Sequence, residues 1–94
     1  MGPVEVELIG GATGVRVALQ NAVFLLIEGS RGYLMCGYLN CETAERKGDI
    51  AAMVSGVSTF EDMLSAKVSW VSSGGKAIGI REGMSGKDAL SLMS

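Results

Sequence analysis

The sequence predicts an α+β domain: an N-terminal antiparallel β meander, then alternating short helices and strands, with helices packed on one face of a mixed sheet. Three observations carry this reading. Four segments with strand patterning fall in the first 40 residues, and capped helical segments alternate with short apolar runs after Leu39. The length, 94 residues, suits one hydrophobic core and not two. The expectation is therefore one domain over residues 1–94, divided into a strand-rich half suited to oligomerisation, 1–40, and a mixed half, 41–94.

Val4 to Leu8 alternates apolar and acidic residues, and Val15, Val17 and Leu19 alternate with Arg16, Ala18 and Gln20, the period-two pattern of half-buried strands. Gly10 to Gly14 reads as a loose turn between them. Ala22–Ile27 and Tyr33–Leu39 do not alternate. Each is a continuous apolar run, the pattern of a strand covered on both faces, and Glu28 to Gly32 joins them. Asn40 is placed to cap a helix through Glu42 to Lys47, with Glu42 and Arg46 one helical turn apart and Gly48 as its stop. Ile50 to Val54 reads as a strand. Ser58-Thr59-Phe60-Glu61 has capping-box chemistry and opens a helix through Ala66 with Phe60, Met63 and Leu64 on one face. Val68 to Ser72 alternates as a strand, Gly74 to Ile80 fits either strand or helix, and Ser85 opens a last helix that buries Ala89, Leu92 and Met93. Gly56–Glu61 and Gly83–Asp88 share glycine, apolar, serine and acid positions. Convergence on good caps explains this echo better than a repeat does.

Composition removes several function classes. Hydrophobic residues reach 48% and mean hydropathy is +0.35, which places the chain among folded proteins and not disordered ones. Histidine is absent, which removes Ser-His-Asp, Cys-His and zincin chemistry. The net charge of −2 offers no attraction to nucleic-acid phosphates, and Trp70, Tyr33 and Tyr38 are not interleaved with basic residues as a base-stacking platform would need. The start, Met1 to Glu7, lacks a basic segment leading into an apolar one, so the expected location is the cytoplasm. The longest uncharged stretches, Val17 to Ile27 and Ile50 to Phe60, are about half the roughly 20 residues of a membrane helix, so no membrane partner is expected. Cys36 and Cys41 suggest neither a disulfide nor a metal site, and no cofactor is implied.

Three short helices can cover one face of a sheet of this size. The two continuous apolar strands ask for cover on both, and a second subunit is the simplest source. The chain is thus expected to form a homo-oligomer through its N-terminal half.

Two places have residues capable of chemistry. Cys36, followed by Gly37, is the one plausible nucleophile, with Lys47 and Asp49 as the nearest candidate partners beyond the strand. A cysteine inside Leu34-Met35-Cys36 is more often an inert core residue. Gly83, Ser85, Gly86 and Lys87 enter a helix and could seat a small anionic ligand, although the spacing is not that of a P-loop and Asp88 already complements the helix dipole. The preferred reading is an oligomeric binding or scaffold module holding a small anion. A small enzyme using Cys36 and a structural subunit of a larger complex are the alternatives.

The runs Gly32–Gly37, Glu45–Asp49 and Gly56–Leu64, with Gly79-Ile80 and Gly83–Gly86, together resemble the YunC-like family. Its members are small bacterial and archaeal proteins known as a domain of unknown function, and the likeness extends from about Ile27 to the C-terminus. The resemblance implies a compact α+β domain whose N-terminal β region makes a tetramer. It implies no activity and transfers no catalytic residue.

Overall fold

The computed structural model describes residues 4–94, and the reading of Met1 to Pro3 as no part of a secretory signal lies outside them. Four strands form an antiparallel meander: β1 (Val4–Ile9), β2 (Ala12–Ala18), β3 (Val23–Glu28) and β4 (Tyr33–Met35). A helix, α1 (Cys41–Lys47), then carries the chain to β5 (Ala51–Met53), which lies parallel to β4. After α2 (Phe60–Ser65) comes β6 (Trp70–Val71), antiparallel to β5. The short α3 (Ser73–Ala77) and α4 (Gly86–Leu92) complete the described chain. The six strands make one mixed sheet in sequence order, as the α+β reading expects.

The first turn is tighter than its five candidate residues suggest. Ile9 pairs with Ala12, so Gly10-Gly11 alone makes the bend, with Gly10 at φ 61°. A two-residue hairpin needs such a positive φ because only then does the turn follow the twist of its strands. Gly14 belongs to β2, where a Cβ would stand 2.6 Å from the Ile9 Cδ1 and 2.8 Å from the Phe60 ring. The helix can approach the sheet there because that side chain is missing.

Asn40 and Gly48 terminate α1 as expected: the Asn40 side chain accepts from Thr43 N, and Gly48 is left-handed at φ 77°. The cap of α2 is displaced by one residue from the expected Ser58–Glu61 box. Thr59 Oγ1 accepts from Asp62 N at 3.0 Å, while the Asp62 carboxylate accepts from Ser58 N at 3.0 Å. The return bond reaches the residue before the cap and not the cap itself, a variant of the capping box, and the shift places Phe60 as the first helical residue. Gly74 to Ile80 begins as helix. Ser72 caps α3, accepting from Gly75 N, and a Cβ at Gly75 would lie 2.7 Å from Val71 Cγ1. Tertiary closeness thus overrides the low helix propensity of two glycines. The alternation over Val68–Ser72 also fails. Val68, Val71 and Ser72 are the buried residues because β6 spans two residues only.

Register divides the sheet's side chains into two sets. Leu25, Ile27, Leu34 and Ala52 point to the face packed by α2 and α4, and with Met63, Ala89 and Met93 they form the fully buried core. The expected helix layer is met by α2 and α4. At the β5 end α1 flanks the opposite face, where Cys41 Sγ lies 4.0 Å from Met53 Sδ.

Candidate functional site

The second set of side chains defines an open face. Val6, Val15, Leu26, Met35 and Met53 are register partners across five strands, and Val4, Val17 and Phe24 form a parallel row. On β1 the exposure is large, 66% for Val6 and 80% for Leu8. Val15, Val17, Phe24, Leu26 and Met35 are half-buried, shielded by one another and not by any helix. Charged residues of the hairpin lie on the other parity: Glu5 pairs with Arg16 at 3.2 Å, in register across β1 and β2. The first four strands therefore build one apolar surface, interrupted by Thr13 and bordered by Glu28. Strands of 6, 7, 6 and 3 residues, about 4.8 Å apart with about 3.4 Å rise per residue, give a plane of roughly 360 Å². Apolar patches of a few hundred Å² are the largest that soluble monomers ordinarily carry, and they are often functional.

The candidate catalytic residues do not meet. Cys36 is 3% exposed on the helix-covered parity, exchanges backbone contact with Leu25, and its Sγ accepts from Leu25 N at 3.3 Å. Asp49 lies at the other end of β4, where its carboxylate accepts from the Tyr33 hydroxyl at 2.6 Å. Burial first, then the hydrogen bond and negative charge of Asp49, holds the Tyr33 phenol well above its ordinary pKa. Lys47 is exposed at the end of α1. The Tyr33–Asp49 contact joins residues 16 apart in sequence, and nothing short of the strand register would have revealed it.

Gly83, Ser85, Gly86 and Lys87 do come together, but the fold uses most of what they offer. Ser85 Oγ accepts from Asp88 N, Ser85 O accepts from Ala89 N, and Gly86 N donates to Ala66 O at 2.8 Å. A Cβ on Gly86 would collide with the Met63 carbonyl, so this glycine is a point of helix contact between α2 and α4. Lys87 is exposed, and Gly83 holds φ 94° in the preceding turn. Glu45, at the far end of α1, has its carboxylate held below the ordinary range by the Ser73 hydroxyl and then by its main-chain N–H, which donates at 2.8 Å. That contact ties α1 to the start of α3. Among the described residues no group of three or more Cys, Asp or Glu gathers as a metal site.

These features define a small α+β domain with a six-stranded sheet, one face closed by helices and the other apolar and open. The chain belongs to the family described as a domain of unknown function, DUF1805, whose model matches residues 35–93. It is 34% identical over 85 residues to the uncharacterized protein YunC of Bacillus subtilis, covering 86% of this chain and 84% of that one. It is also similar to the crystal structure of TA1206, a protein of unknown function from Thermoplasma acidophilum. There the TM-score is 0.88 at 42% identity, over 97% of this chain and 91% of the other. Among the described residues, no helix is long and apolar enough to cross a membrane.

Proposed function

We propose that the chain is the subunit of a homo-oligomeric module, a tetramer on the family reading, assembled by burying the open face of its sheet against a second copy. The observation that carries this is the row Val6, Val15, Leu26 and Met35, continuous across four strands, with α1 reaching the same face only at Met53. A second copy suits the face because the patch is apolar and nearly free of charge, so two copies meet without like-charge repulsion. Burying an exposed valine or leucine contributes roughly 1.5–3 kcal/mol, against an association cost of about 4–15 kcal/mol. The exposed Val4, Val6 and Leu8 on both partners, with the half-buried rows behind them, are on the scale needed. The β1 edge, otherwise unpaired among the described residues, would be shielded in the same assembly.

The proposed location is the cytoplasm, a reducing compartment in which the two free thiols Cys36 and Cys41 would stay reduced. No anion is assigned to Gly83–Lys87, because Ser85 and Gly86 are already engaged within the chain. The test is a double substitution, Val6→Lys with Leu8→Lys. Light scattering after size exclusion should show the variant at a mass below that of the wild type with an unchanged circular dichroism spectrum. A variant that keeps the wild-type mass would refute the interface.

A further inference from the structure

Sulfur gathers where α1 meets the sheet. Three of the described methionines are engaged elsewhere: Met63 and Met93 are core, and Met84 Sδ accepts from Arg81 N at 3.5 Å. Met35 and Met53 are not. They are register partners on the parallel strands β4 and β5, half-buried on the side of the sheet away from α2 and α4. The first residue of α1, Cys41, is a free and half-buried thiol whose Sγ lies 4.0 Å from Met53 Sδ. Trp70, the one tryptophan of the chain, is the register partner of Met53 on β6.

Thiolate and thioether sulfurs are soft donors, and together they select Cu(I) over harder divalent ions. Two sulfurs bonded to one ion at about 2.3 Å lie about 3.8 Å apart at a tetrahedral centre and about 4.0 Å apart at a trigonal one. The Cys41–Met53 pair already has that spacing. Met35 adds a third sulfur from the neighbouring strand, about 4.8 Å across the sheet, on an unbranched side chain with three rotatable bonds. All three residues are partly open to solvent, so an ion can reach them. The register row that runs from Val6 through Met35 and Met53 to Trp70 carries no cationic side chain to repel it. The set does not suit zinc, whose sites draw on several thiolates, imidazoles or carboxylates. Cys36 differs in each respect: it is buried on the helix-covered side, and its sulfur is taken by Leu25 N.

We infer that Cys41, Met53 and Met35 form a binding site for Cu(I). The Cys41 thiol releases its proton as the sulfur–copper bond forms, the two thioethers complete a trigonal set, and the copper stays Cu(I) throughout. All three ligands belong to one chain, so the site does not rest on the proposed assembly. The reduced protein is titrated anaerobically with Cu(I) held by the chromophoric competitor bicinchoninate. One copper per chain should leave the competitor, with a thiolate-to-copper charge-transfer band in the ultraviolet and a change in the fluorescence of Trp70. Cys41→Ser should abolish the band and weaken binding at least about a hundredfold, because it removes the one anionic ligand. Met53→Leu and Met35→Leu keep the size and apolarity of the side chain. Each should weaken binding about tenfold, retaining the band and the circular dichroism spectrum. Excess Zn²⁺ should displace none of the copper. Copper left with the competitor, a band and affinity intact in Cys41→Ser, displacement by Zn²⁺, or an affinity indifferent to both methionine substitutions, as a single adventitious thiol would give, would overturn the proposal.

Discussion

Leu25 and Ile27 on β3 are wholly buried, while Phe24 and Leu26, equally apolar and directly adjacent, keep contact with solvent. The difference is which side of the sheet each residue faces. Toward the helices, Leu25 and Ile27 pack with Met63, Leu90 and Met93. Toward the other side, Phe24 and Leu26 meet only their cross-strand neighbours and the tilted ring of Tyr38, 6.4 Å from Phe24. The two sides of β3 are thus matched in hydrophobicity but not in cover. The proposed assembly would supply the second cover.

The largest expected effect breaks the comparison at its centre. Leu25→Ala should destabilise the protein by about 2–5 kcal/mol at every protein concentration in urea unfolding, because its neighbours lie within the subunit. Leu26→Ala, one residue on, should instead show a loss that grows with protein concentration, because the proposed assembly covers it with another chain. Equal and concentration-independent losses at the two positions would mean that both sides are subunit core.

Ser72→Ala examines the closed end of the sheet. The Ser72 hydroxyl donates to Asp49 O at 2.7 Å and accepts from Ala51 N at 3.0 Å and Gly75 N at 3.1 Å, holding β5 and α3 together. Leaving those buried groups unpaired costs about 1–3 kcal/mol each, so calorimetry should record a clear fall in melting temperature with subunit mass unaltered.

Tyr33 gives the smallest effect. In the unfolded chain its phenol ionises near 10.0, whereas in the fold the proton is held to higher pH. Its contribution to stability is thus complete below pH 10.0 and is lost as pH rises above it, since the unfolded state alone releases the proton there. Denaturant midpoints should decline above that pH in the wild type and decline less in Tyr33→Phe.

Much of the architecture was legible because it is written locally. The alternation of Val4–Leu8, the Asn40 and Ser85 caps and the Gly48 stop depend on residues a few positions apart. Thr59 displaced Ser58 as a cap because serine and threonine offer the same hydroxyl, and only the surrounding packing chooses between them. The helix at Ser73–Ala77 was illegible for the opposite reason, its glycines being there for close contact with Val71 and Ile50 and not for propensity. Cys36, Lys47 and Asp49 looked like one site because sequence proximity stood in for geometry. Strand β4 separates the cysteine from the aspartate, and α1 carries the lysine away.

The central claim is that the open face is closed by another copy, and the mass of the wild-type protein in solution tests it most directly. Light scattering across a dilution series at micromolar concentration should give an integral multiple of 9.7 kDa, four on the family reading, falling only on strong dilution. A constant mass of 9.7 kDa throughout would contradict the account.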